Sequence, residues 1–284
     1  MLPSTHFRKT VNPADWIEGA AKAFAVLESF SAERQRLSIT QIAERADLTR
    51  AAARRHVLTL HALGYLEAEE GARSPSYWLT HRVLRLAGNY LASARLPRVV
   101  QPTLNRLAVQ TGQAFSVAVL DTGGGHVASD VSNNLQAVIV ARSGEHRMES
   151  LALPYGVNLG ARLAAHATST GRVLLAQLSP AQLKAFLAAQ SRQKLTPHTI
   201  TQATQLRQLI AAAGQQGYSE VHQEHELGVY AIAVPLQGTQ GRVVAAMNLV
   251  LTNAAQRPPR TSDALQKAYL PQMQAAAAEL RLLL

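Results

Sequence analysis

Between Ser38 and Leu79 the apolar spacing is cut at Asp47-Leu48, at Gly64 and again from Glu69 to Ser76. No long helix or strand fits through those breaks, so this stretch must fold as short elements joined by tight turns. Ahead of it, Ile17, Ala20, Ala21, Phe24 and Leu27 recur at helical spacing. Asp15 is expected to cap that first helix with Glu18 as its capping-box partner, and the helix to run to about Phe30. Ser38 or Thr40 should cap a short helix from Gln41 to Ala46, and Thr49 a third from Arg50 to Leu63. Gly64 ends the third helix. Tyr65-Leu66-Glu67 and Tyr77-Trp78-Leu79 then read as the strands of a hairpin. Three helices and a hairpin make a winged helix-turn-helix, expected over residues 15–80.

The third helix of such a unit enters the major groove with its first residues at base edges. Here it reads Thr49-Arg-Ala-Ala-Ala-Arg-Arg-His56. Ala53, Val57 and Leu60 share an inward face at i, i+4 and i+7. That leaves Arg50, Ala51, Arg54 and Arg55 outward. Arginine grips guanine or phosphate, and small alanines allow close approach. The candidate DNA-binding residues are Ser38, Thr40, Thr49, Arg50, Ala51, Arg54 and Arg55, with Arg73 on the wing. Alone, a basic string reads as a solvated helix face. Its place after a tight turn and before a Leu-Gly-Tyr turn into a hairpin favours DNA.

Residues 81–97 are expected to form a linker helix, striped by Val83, Ala87, Tyr90 and Ala94, widened by Leu84 and Leu91, and closed by Pro97. Its stripe is wider than packing on one domain requires, so pairing with a second copy is expected. That pairing would space two recognition helices for successive major grooves. A helix over 98–110 follows. Beyond it, short strands and helices alternate. Strands are expected at 115–120, 127–131, 138–141, 218–221, 229–234 and 242–250. Helices are expected at 170–177, from Ser179-Pro180, from Thr201 to near Gly214, and from Thr261 or Asp263. Strands meeting in pairs predict a mostly antiparallel sheet with helices packed on it. The fold class is therefore α+β.

Composition excludes several functions. The chain of 284 residues has no cysteine, which removes disulfides, thiol nucleophiles and cysteine-ligated zinc. No apolar run is long enough to span a bilayer, and residues 1–14 read as a mobile tail without a signal-peptide core. A cytoplasmic location is the expectation. The net charge of +10 suits a polyanionic partner, but the basic excess is spread over both halves and does not locate the site.

The motifs Ser38-Ile-Thr-Gln-Ile-Ala43, Leu48-Thr-Arg50, Leu63-Gly-Tyr65 and Trp78-Leu-Thr80 resemble the DNA-binding half of IclR-family regulators. Leu48-Thr-Arg-Ala-Ala-Ala-Arg-Arg55 is similar to the PcaR/PcaU/PobR branch, which answers to aromatic acids. Gly160-Ala-Arg-Leu163 with His166-Ala-Thr-Ser-Thr-Gly-Arg172, and Tyr218-Ser219 with Gln223-Glu224 and Ile232-Ala-Val-Pro235, resemble the family's two C-terminal signatures. The resemblance implies a GAF-like effector-binding domain, here over residues 98–284, a homodimer or homotetramer, and a small organic acid as effector. By position it implies Arg162, His166, Thr168, Ser169, Thr170, His222, Gln223, Tyr230 and Ala231 as effector-binding candidates. His222 stands where the family usually has Asp, Tyr230-Ala231 where it often has Arg-Ser or Arg-Cys, and Ala164 in place of a frequent Pro.

The residues themselves also support an anion site. Free N–H groups at the start of the helix near Thr170, with the Thr168 and Ser169 hydroxyls, suit a carboxylate. His222 in place of an acid removes a repulsive charge, so an aromatic acid is expected, a dicarboxylate such as a phthalate included. His222-Gln-Glu-His225 has i, i+3 metal spacing but reads better as solvated or pocket-lining, so no metal and no cofactor are expected. His166 with Ser169 lacks the elbow sequence of a nucleophile, and no enzyme activity is expected. The expected role is a ligand-responsive DNA-binding regulator of aromatic-acid catabolism. Two alternatives stay open: a non-aromatic organic acid as effector, or an architectural DNA-binding protein whose C-terminal domain only oligomerises.

Overall fold

A computed structural model describes residues 12, 14–31, 34–69, 71–72, 74–121, 135–144, 158–188, 192–252 and 262–284. The chain divides into two units, Met1–Ser93 and Ala94–Leu284. The expected strand at 127–131, Arg73 and most of the expected tail lie outside the described residues.

The first unit holds α1 (Glu18–Leu27), α2 (Ile39–Ala46), α3 (Arg50–Ala62), β1 (Leu66–Ala68), β2 (Tyr77–Leu79) and α4 (Val83–Ser93). Its core is Val26, Ile42, Ala53, Val57, Leu60, Leu66 and Tyr77, drawn from all three leading helices and both strands. The strands pair antiparallel with Glu67 opposite Trp78. Ser38 caps α2 through a complete capping box with Gln41, so Ser38 rather than Thr40 is the cap. Asp47 ends α2 in the left-handed region at φ 54°, and Thr49 then caps α3 by accepting from the Ala52 N–H. Three residues, Asp47 to Thr49, thus separate the helices. Gly64, at φ +76°, takes the chain out of α3 where a side chain would strain.

One N-terminal expectation fails. Asp15 does not cap α1; Ile17 holds the cap position and makes no side-chain capping bond. Glu18 instead accepts from the Trp16 indole N–H at 3.0 Å and pairs with Lys22 one turn on.

The second unit begins with α5 (Arg95–Thr111), β3 (Phe115–Asp121), β4 (Gln136–Arg142) and β5 (Arg162–Ala164). A 3-10 turn (Ala165–Ala167) leads into α6 (Ser169–Leu175), then α7 (Pro180–Ala188) and α8 (Ala203–Gln216). β6 (Ser219–His222), β7 (Val229–Gln237), β8 (Val243–Thr252) and α9 (Ser262–Leu280) complete it. The six strands form one sheet in the order β5-β4-β3-β8-β7-β6, with every neighbour antiparallel. Pro97 does not close the preceding helix. It sits in the first turn of α5, where a missing N–H breaks no hydrogen bond. Gly214 lies inside α8, which ends at Gly217. β5 was not among the strands expected from spacing; it overlaps the Gly160–Leu163 segment singled out by resemblance.

Strand parity sorts the sheet into two unlike faces. Phe115, Val117, Ile232, Val234, Met247 and Leu249 meet Leu104 and Leu107 of α5 and Met273 and Ala276 of α9. The opposite face carries small residues: Ser116 and Ala118 on β3, Ala231 and Ala233 on β7, Ala246 and Asn248 on β8. Val173 and Leu174 of α6 pack into that shallow face beside Ala118, Ala233 and Ala246. Gly171 makes the seat close. A Cβ there would stand 2.1 Å from the Ala165 carbonyl oxygen, so no other residue fits without moving backbone.

Candidate nucleic-acid face and ligand pocket

α3 buries Ala53, Val57 and Leu60 and exposes Arg50, Ala51, Arg54 and Arg55. The outward face is basic and its first turn is trimmed to alanine. Burial, then the Lys22 and Arg55 charges, push His56 below its ordinary value, which fits a locally positive surface. On the hairpin, the Arg36 guanidinium lies 4.4 Å over the Trp78 ring, whose N–H donates to Glu67 at 2.9 Å. Ser38 and Thr49 spend their hydroxyls on capping. Thr40 is exposed at the start of α2.

The second unit has a pocket on the small-residue face of its sheet. Its apolar walls are Leu163, Ala167, Val221, Val229, Ala231 and Val250. Its polar lining is Thr168, Ser169, Thr170, His225, Glu226 and Asn248. About 520 Å³ of space is free of atoms there, the open mouth included.

Two chain segments meet at this pocket: the start of α6, and the turn over residues 223–228 between β6 and β7. A buried ion pair joins them. Arg172 donates to Glu224 at 2.5 Å, with the two side chains 2% and 7% exposed. Arg172 also donates to the carbonyls of His166 and Glu220. Glu224 accepts the Ile200 N–H as well, and the Thr199 hydroxyl donates to its backbone carbonyl at 2.6 Å. Gln223 adopts φ 57°, takes the Gly228 N–H on its side-chain oxygen, and accepts from the Thr196 hydroxyl on its carbonyl. The turn that presents His225 and Glu226 is therefore held from below.

Of the candidates named by position, Thr168, Ser169, Thr170 and Ala231 line the pocket. Thr168 caps α6, accepting from Gly171 N–H and donating to Ala164. The others are placed elsewhere, mostly by strand parity. Leu163 faces the pocket, so its neighbour Arg162 faces out, where it pairs with Asp121 at 2.6 Å and donates to Gln136. Val221 and Ala231 face in, so His222 and Tyr230 face the other way, their rings 5.5 Å apart and His222 beside Glu220. The charge argument for a second carboxylate therefore loses its footing, since His222 is not at the pocket. His166 is buried with Nε2 on the Gln193 carbonyl at 3.0 Å. Gln223 shapes the turn rather than lining the space. His225, Glu226 and Asn248 were not foreseen; the only hint was the His222-Gln-Glu-His225 string, whose two histidines part to opposite sides of the sheet edge.

Burial, with a smaller contribution from His166, lowers the His225 pKa below its ordinary value. Burial also lowers His166, helped by the Arg192 and Arg172 charges and opposed by the Gln193 hydrogen bond and Glu224. Glu226 is raised by burial. The Ser169 hydroxyl and His225 Nδ1 are buried and have no hydrogen-bond partner among the described residues. A fold rarely leaves two such atoms at one place.

Residues 19–70 match the IclR helix-turn-helix domain, and residues 88–281 match the bacterial transcriptional regulator IclR C-terminal domain. The Pca operon regulatory protein of Acinetobacter baylyi is 40% identical over 99% of this chain and 94% of its own. The p-hydroxybenzoate hydroxylase transcriptional activator of the same organism is 41% identical over 99% and 96%. Among solved structures, a transcriptional regulator of Rhodococcus sp. RHA1 is 34% identical, with a TM-score of 0.69 over 94% of this chain and 97% of that one. The inducer-binding domain of the Acinetobacter PobR transcription factor, a double mutant in complex with 3-hydroxybenzoic acid, is 38% identical. Its TM-score is 0.57 over 66% of this chain and 98% of that one.

Two predictions follow from this geometry. Arg54→Ala should weaken operator binding by about 1–3 kcal/mol in a gel-shift titration while leaving the melting temperature in place; unchanged affinity would take Arg54 out of the interface. Acid should destabilise the second unit. His166 and His225 have folded pKa values below the unfolded value of about 6.5, so the unfolded chain binds more protons in that window. Stability is then full above about pH 6.5 and falls as pH drops below it. Raised Glu226 acts in the opposite sense, from a lower starting value and as one group against two. Denaturant midpoints followed from pH 7.5 down to 5.5 should decline; a flat or rising series contradicts the burial of these imidazoles.

Proposed function

Because the chain belongs to the IclR family of transcriptional regulators, we propose that an aromatic carboxylate is its effector and that the pocket between Thr168–Thr170 and His225–Glu226 receives it. The observation that carries this is a buried, unpartnered Ser169 hydroxyl on a residue that lines the pocket beside its apolar walls. Apolar walls suit a ring, and a spare donor suits its carboxylate. The identities of 40% and 41% to regulators named for the Pca operon and for p-hydroxybenzoate hydroxylase support the aromatic class. So does the 3-hydroxybenzoic acid in the PobR domain.

The role proposed for the site is binding, not turnover. His166 commits Nε2 to a carbonyl, and Ser169 has no hydrogen-bonded base among the described residues, so no relay for a nucleophile is assembled. The DNA contacts are assigned to Arg50, Ala51, Arg54 and Arg55 on α3, with Arg36, which precedes α2 and stacks over Trp78 of the hairpin. The active form is taken to be a dimer or larger. α4 has no buried residue and exposes Leu84 at 66%, Leu86 at 52% and Tyr90 at 48%. A helix this short is marginal alone, and a second copy would cover its stripe. Two α3 helices held about 34 Å apart, or a multiple of it, would then read successive grooves. An effector that binds one spacing more tightly shifts the population toward it. Among the described residues no helix is long and apolar enough to cross a membrane, and the cytoplasm, where bacterial DNA lies, is the proposed site of action.

Thermal unfolding against protocatechuate, 4-hydroxybenzoate, benzoate and the three phthalates tests the effector. A ligand at 100 times its Kd should stabilise the chain by about 2.7 kcal/mol, a shift of a few degrees, and be recovered unchanged. Monocarboxylates are expected to outperform the phthalates, because Glu226 lines the pocket. A flat panel would point to a non-aromatic acid or to a purely architectural second unit. Light scattering at operator-binding concentrations should read a dimer or larger; a monomer there rules out the paired-helix arrangement.

A further inference from the structure

The polar end of the pocket carries no permanent positive charge. Among the described residues no Arg or Lys lines it. Arg172 lies behind the wall, but Glu224 takes its charge at 2.5 Å. Arg192 is spent on the carbonyls of Phe186, Leu187 and Thr201. A carboxylate moved from water into such a space needs a counter-charge as well as hydrogen bonds.

Among the described residues two lining groups can supply or relieve charge by titrating, His225 and Glu226. His225 has its Nδ1 buried and unpartnered, and Ser169, 1% exposed, has its hydroxyl in the same condition. The surroundings of His225 are these. His166 faces it from the 3-10 turn and keeps its own Nε2 on Gln193. Glu224 and Glu226 flank it in the turn, the first neutralised by Arg172 of α6. β5, β7 and β8 bring no titratable side chain to the pocket. On β6, Val221 faces in, while Glu220 and His222 pair on the other side.

We infer that Ser169 Oγ and His225 Nδ1 hold the effector's carboxylate, and that the acid binds together with one proton, taken from solvent onto His225. The imidazolium then donates from Nδ1 and supplies the missing counter-charge. Without ligand, burial and His166 keep His225 below its ordinary pKa, so the proton is absent until the anion arrives. This inference rests on the reading of the pocket as an acid-binding effector site. It makes the regulator respond to the product of acid and proton concentrations rather than to the acid alone.

Calorimetry of the full chain with 4-hydroxybenzoate at pH 7, in phosphate and in Tris, reads the proton directly through the buffers' different ionisation heats. The expected result is an uptake approaching about one proton per site, with Kd weakening by up to about tenfold per pH unit between pH 6 and 8. His225→Gln keeps a donor, and should bind with buffer-independent heat and a flat pH profile. Buffer-independent heat with the unaltered chain overturns this inference and leaves the effector reading standing. A proton still taken up by His225→Gln overturns the assignment to His225. No binding of 4-hydroxybenzoate, protocatechuate or benzoate at any of these pH values overturns the effector reading and this inference together. Should the variant not fold, the two-buffer comparison on the unaltered chain decides alone.

Discussion

The second unit depends on the buried pair between Arg172 and Glu224. One guanidinium reaches α6, the 3-10 turn, β6 and the 223–228 turn, and Glu224 adds the backbone at Ile200. The pair need not contribute much net stability, since desolvating both charges offsets their attraction. Its effect is geometric. Removing either partner would leave a buried charge uncompensated, at about 3–5 kcal/mol, so the pair ties the two signature segments together. That arrangement is what brings Ser169 and His225 to one pocket, although they are far apart in sequence.

A division of labour results. The arginines are satisfied behind the wall, and hydroxyls, His225 and Glu226 line the pocket. The small residues on the α6 face of the sheet complete the design. Ala118, Ala233 and Ala246 let α6 sit low, and Gly171 lets it sit against the 3-10 turn without a gap. The opposite face, with Phe115, Ile232, Met247 and Leu249, is packed against α5 and α9. A sheet with one bulky and one spare face holds its pocket on the spare one.

The DNA-binding unit was legible residue by residue, because its signals are local. Ser38 with Gln41, Thr49, Asp47 and Gly64 each mark an end, and Ala53, Val57 and Leu60 mark an inner face. The start of α1 misled, because Asp15 has capping chemistry but lies too early for the turn that forms. The pocket was legible only in part. Thr168, Ser169, Thr170 and Ala231, named by position, line it. Arg162, His222 and Tyr230 were misplaced because adjacent residues on a strand face opposite ways, and a match by position does not record parity. Placing Val221 and its cross-strand partner Ala231 on the inward side would have turned His222 and Tyr230 outward. His225 and Glu226 lie in a turn with no period to read, and their placement follows from the Arg172–Glu224 pair, a contact between distant segments.

The walls of the pocket and its polar end are supplied by different parts of the chain. Ala167 and Ala231 are the smallest wall residues, and neither takes part in the network that positions Ser169 and His225. Enlarging either one would cut the room available to a ring while leaving the grip on its carboxylate intact. Size selectivity and acid recognition can therefore drift independently. A scaffold of this kind is open to re-cutting, one methyl group at a time, into a reporter for differently substituted acids.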